Sequence, residues 1–188
     1  MFCTAFPSDL RENLDVVMKV LPNKTFSDIR IITSREVITY IFDNNIIEIP
    51  YRMYLVDVAD AEYETLSCIQ KQILCCIYTR SCNGHIREKY LRKLLDMQFE
   101  QWGIPFIIKL CDEYVLEILE IIYSKLKERN NTDIQSFCLK NKALINKSYS
   151  RMISYWNEYY REQEVDFRKY IGKRLFRECM GYDRTFER

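Results

Sequence analysis

The residues best equipped for chemistry gather in one stretch, ILCCIYTRSCNGHIREKYLRKLL, from Ile73 to Leu95. It holds three of the eight cysteines and the only histidine. A structural zinc site needs ligands that converge tetrahedrally, commonly a C-x-x-C pair joined by a second pair or by histidines. Cys68, Cys75, Cys76 and Cys82 contain no such pair, and on a helix the adjacent Cys75 and Cys76 point about 100° apart. Buried apolar thiols are therefore expected, with no metal and no cofactor. A thiol enzyme needs a cysteine activated by a base and a third group to orient that base. Cys82 and His85 are close in sequence, yet a histidine at a helix start ordinarily serves the solvent or the cap, and nothing else marks a catalytic pair. No G-x-S-x-G, P-loop or dinucleotide fingerprint occurs. The chain thus leans away from an enzyme, leaving two carboxylates brought together by the fold as the open route to hydrolysis.

Charged residues offer binding chemistry instead. Arg87, Lys89, Arg92 and Lys93 would present cations to phosphates if the stretch were a helix-turn-helix. Glu88 interrupts that face, and Tyr90 and Leu91 are needed by the core. The net charge of +1 conceals a gradient: residues 1–60 carry −3, residues 61–139 carry −1 and residues 140–188 carry +5. This is far from the strongly basic balance of a nucleic-acid-binding domain. The segment VDVADAEYE supplies Asp57, Asp60, Glu62 and Glu64 with no basic residue before Lys71, and reads as an exposed connector. Its carboxylates, with Tyr63 as an aromatic anchor, suit a basic protein partner. The leading expectation is a non-enzymatic protein-binding protein, of the inhibitor or immunity type, that neutralises a bacterial partner such as a toxin. A helical nucleic-acid-binding regulator is the alternative.

The elements that must position these residues follow from hydrophobic period. Leu10, Leu14, Val17, Met18 and Leu21 predict a short amphipathic helix behind Ser8. EVITYIFDNNIIEIPYRMY predicts a β-hairpin turning at Asp43 to Asn45, with IRIITS as a candidate third strand. Ser67 and Gln70 form a capping box ahead of Ile69, Ile73, Cys76 and Ile77. Asn83 and Gly84 should stop that helix, and Ile86, Tyr90, Leu91, Leu94 and Leu95 line the next. The helical period from Ile104 to Leu126, opened by Pro105, predicts a six-turn central helix. After KERNNTD come a short helix at Ile134–Leu139, one carrying Tyr149, Met152, Trp156, Tyr159 and Tyr160 in the core, and a last one carrying Ile171 to Cys179. The fold class is mainly α: one domain over residues 1–188, built as a helical bundle or stacked helix pairs. Residues 1–56 hold a helix and a small antiparallel β-hairpin, and residues 65–180 form the helical core.

Gln70, Leu74, Tyr78, Thr79 and Arg80, then Gly84, Arg87 and Leu91, then Pro105, Leu110, Glu113 to Val115 and Glu117 to Leu119 spell a recurring pattern. It is Q-x3-L-x3-YTR, G-x2-R-x3-L and P-x4-L-x2-EYV-x-EIL. Over residues 50–160 the chain resembles a bacterial family of uncharacterised proteins with this pattern, which implies no assigned activity. NGHIREKYLRKLL is similar to a HEAT-type helix pair, in a single copy. Usage rich in Ile, Lys, Asn and Tyr and poor in Ala, Gly and Pro fits A+T-rich coding DNA. No signal peptide is evident and no segment approaches the roughly 18 uncharged apolar residues of a membrane span. A cytoplasmic protein with reduced thiols and no membrane partner is expected.

Overall fold

A computed structural model describes residues 2–22, 32–33 and 36–182. The fold is mainly α-helical with a small antiparallel hairpin near the N-terminus, as the periodicity predicts. Residue packing groups the chain into two compact units, Met1–Phe106 and Ile107–Arg188. The acidic connector, where the sequence places its internal subdivision, lies inside the first.

In the first unit, α1 (Arg11–Val20) is followed by strands β1 (Ile32–Thr33), β2 (Val37–Phe42), β3 (Asn45–Pro50) and β4 (Met53–Tyr54). β2 and β3 pair antiparallel from Phe42 with Asn45 to Val37 with Pro50. Their two-residue turn puts Asp43 and Asn44 at φ 46° and 59°, the left-handed values that Asp and Asn tolerate and a tight hairpin needs. Tyr40, Ile47 and Ile49 are buried while Ile41 and Ile46 face solvent. The candidate third strand does not extend this sheet. β1 pairs with β4 as a separate ribbon, and the rest of IRIITS lies outside the described residues.

α2 (Asp60–Glu64), α3 (Cys68–Tyr78) and α4 (Gly84–Asp96) complete this unit's principal helices. The Ser67–Gln70 capping box forms as expected, each side chain meeting the other's backbone amide. Asn83 and Gly84 act differently from the expectation. Asn83 does not close α3 but opens α4, its side chain accepting from the amides of His85 and Ile86. α3 ends earlier because β4 captures the chain: the Met53 amide donates to the Arg80 carbonyl, and the Cys82 amide donates to the Met53 carbonyl.

α5 (Ile104–Ile108) carries the chain into the second unit, built from α6 (Leu116–Leu126), α7 (Thr132–Lys140), α8 (Lys142–Tyr155) and α9 (Ile171–Arg174). The expected continuous helix from Ile104 to Leu126 is therefore broken over residues 109–115. The break holds a buried ion-pair cluster. Lys109 and Asp112 are both buried, their charged atoms 2.5 Å apart, and Asp112 also meets Arg151 of α8 at 3.2 Å. A buried carboxylate needs such pairing, and the turn lets Asp112 reach a second cation. α8 and α9 each run on into a wide π turn, Trp156–Tyr160 and Leu175–Cys179. Ile118, Leu119, Ile122, Leu126, Met152 and Leu175 are among the buried core of this unit. Among the described residues no helix is long and apolar enough to cross a membrane.

Candidate functional site

The two charged surfaces anticipated from sequence meet each other. Asp57 accepts from Lys89 Nζ at 2.8 Å and from the Tyr90 hydroxyl at 2.6 Å. Asp60 lies 3.7 Å from Lys89 and 3.9 Å from Lys93, and Glu64 pairs with Lys71 at 2.5 Å. Burial works against the Asp57 charge, but the bonds from Lys89 and Tyr90 outweigh it and hold the carboxyl below its ordinary value. The same bond to Asp57 raises Lys89.

The connector is consequently not a free segment: it folds into α2 and docks on α3 and α4. Tyr63, expected as an exposed anchor, is only 7% exposed. Its ring lies 3.7 Å from Lys93 Nζ and 5.0 Å from Lys71 Nζ. Glu62 remains exposed. Arg87 is buried and donates to the carbonyls of Ser81 and Cys82, while Arg92 pairs with Glu88. Sequence separation of 29 to 33 residues between the connector's acids and their partners on α4 hid this cancellation, since nothing local indicates which helix face a connector will cover.

Five of the eight thiols are buried core groups. Burial pushes Cys75 and Cys138 up to about 12 and Cys179 to about 11, and holds Cys76 and Cys111 well above their ordinary value. A thiol so raised is protonated at neutral pH and a poor nucleophile or ligand. His85 sits exposed in the first turn of α4. No group of three His, Cys, Asp or Glu side chains suited to a metal occurs among the described residues.

The second unit holds the surface that the sequence reading missed. Tyr114 and Tyr159 are each 53% exposed, and Tyr155 lies 5.9 and 6.1 Å from them, ring centre to ring centre. The row continues from Tyr159 to Tyr160 at 6.4 Å and from Tyr160 to Tyr170 at 5.8 Å. The Tyr160 hydroxyl donates to the Tyr114 carbonyl, fixing the π turn to the start of α6. The expectation that Trp156 and its neighbours belong to the core thus holds for Tyr149 and Met152 but not for Trp156, Tyr159 and Tyr160. Trp156 is half-buried, bonded through Nε1 to the Glu164 carbonyl, and Tyr159 points to solvent. The π turn has a period longer than 3.6 residues, so tyrosines placed on a buried face by α-helical counting come out elsewhere. The available signal was the aromatic-rich run SYWNEYYR, residues 154–161.

Beside this row is a cleft of about 290 Å³, walled by Tyr160, Tyr170, Leu116 and Ile171 and also lined by Glu120, Glu164 and Lys169. Tyr170 is 2% exposed, and its hydroxyl is buried without a hydrogen-bond partner among the described residues. Gly172 lets the chain pass close by, for a Cβ there would sit 2.6 Å from Tyr170 Cε1 and 2.8 Å from Met152 Cγ. Glu117 and Glu120 are exposed and make no ion pair among the described residues. Comparison with known proteins gives no match to a family model, to a curated protein or to a solved structure.

Proposed function

We propose that this chain acts by binding another protein, in the manner of an inhibitor or immunity-type partner, through the tyrosine surface of its second unit. The observation that carries this reading is the exposure of Tyr114 and Tyr159 beside the carboxylates of Glu117 and Glu120, which make no ion pair among the described residues. Tyrosine gives a large, rigid contact at low entropic cost and is enriched at interface hot spots. Carboxylates add steering toward a basic partner. This is the combination first sought in the connector, where internal pairing consumes it. The bacterial setting rests on the resemblance carried by residues 50–160. The helix bearing Arg87 to Lys93 lends nothing to the nucleic-acid alternative, because each of those cations is already engaged within its own unit.

The test is co-expression with the protein encoded beside it, followed by measurement of binding at low and high salt. A 1:1 complex is expected, weakened by salt. The double change of Tyr114 and Tyr159 to Ser should weaken it about 100-fold or more, as loss of hot-spot residues does. A complex that forms equally well with the double variant removes this surface from the interface.

A further inference from the structure

We infer that the cleft beside Tyr160 receives an arginine side chain, presented by the protein partner. This rests on the protein-binding reading and names the chemistry its surface recognises. At about 290 Å³, the cleft falls just below the roughly 300–1,000 Å³ of small-molecule sites, a size that suits one side chain better than a cofactor. Its walls divide as an arginine does. Leu116 and Ile171 offer apolar contact to a three-carbon stem, and the half-buried ring of Tyr160 offers aromatic contact to a guanidinium.

Charge selects the same occupant. Glu120 and Glu164 outnumber Lys169 among the lining residues, so a cation is favoured over an anion. Glu164 accepts the Asp166 amide through Oε1, whereas Glu120 makes no ion pair among the described residues. Glu120 is thus placed for a charge-assisted bond with a guanidinium. A guanidinium carries five donors in a planar fork, which suits a carboxylate such as Glu120 better than a lysine's ammonium does. Lys169 sets a limit, since it repels the occupant and keeps a free arginine weak until the surrounding tyrosines add their contacts.

The experiment uses the full chain and N-acetyl-arginine-amide, followed by amide chemical shifts of residues 116–120 and 160–171. The neutral isostere N-acetyl-citrulline-amide and the anion N-acetyl-glutamate-amide are run alongside. The arginine probe should saturate these shifts, and the other two should not. Glu120→Gln should weaken it about tenfold, the loss of one charge-assisted bond. Lys169→Ala should tighten it, and Tyr170→Phe, whose hydroxyl is too buried for the probe to reach, should leave it unchanged. Equal binding of citrulline and arginine, or tighter binding of the glutamate probe, overturns the inference. The two proposals fail separately. A complex that depends on Tyr114 and Tyr159 but ignores Glu120→Gln leaves the protein-binding reading standing and removes the arginine. An arginine probe that binds where no complex forms does the reverse.

Discussion

Tyr63 and Tyr159 are the same side chain in opposite circumstances. Tyr63 packs between two lysines with its hydroxyl 3.9 Å from Cys75 Sγ, while Tyr159 is more than half exposed. Truncation of a buried aromatic costs about 3–5 kcal/mol and most surface changes stay within about 0.5 kcal/mol. Tyr63→Ala should therefore lower the urea midpoint sharply, and Tyr159→Ser should leave it in place. Equal effects would show the exposures to be misassigned. Tyr170→Phe should go the other way: it removes a buried hydroxyl without a partner, a group whose desolvation costs about 1–3 kcal/mol, so the midpoint should stay or rise. At this scale the sequence misled for one reason. Tyr63 stands among four carboxylates and looks solvated, yet it is buried together with Leu66 three residues on, while Asp60, Glu62 and Glu64 stay exposed.

Between elements, charged side chains do the fastening. Asp57 ties the connector to α4, so Asp57→Asn should leave the helices folded and speed amide exchange across residues 57–66. Unchanged exchange would mean that the packing of Tyr63 alone holds the segment. Glu178, after α9, accepts from Tyr123 of α6 and from Arg177 and Arg174, and these bonds hold it at about 2 against an ordinary 4.5. A carboxyl lowered on folding contributes stability that is complete above its unfolded value and lost as pH falls toward the folded one. The wild type should thus lose stability between about pH 4.5 and 2, and Glu178→Gln should show a flatter profile over that window. A parallel profile would sink the assignment. Helix existence was legible from period alone, because Ile118, Leu119, Ile122 and Leu126 keep the spacing. The break at 109–115 was not. Asp112 within it pairs with Arg151, 39 residues on, and no local pattern shows a distant cation.

For the molecule as a whole, the composition and the shift from alternating to helical period sufficed to mark a mainly α chain with one early hairpin. The site was less readable, because surfaces depend on which charges find each other. The thiols divide by depth: Cys3 and Cys68 are exposed, Cys82 is half-buried, and Cys75, Cys76, Cys111, Cys138 and Cys179 are buried. Native protein should react quickly at two sites with a colorimetric thiol reagent, slowly at a third, and at all eight only when unfolded. Rapid reaction of four or more would contradict that burial. Both exposed thiols belong to the first unit, and all three cysteines of the second, Cys111, Cys138 and Cys179, are buried. A maleimide dye will therefore decorate one unit and leave the tyrosine surface of the other bare. With Cys68→Ser the native protein carries a single fast address at Cys3, a ready-made anchor for a fluorophore or a spin label from which to watch a partner arrive.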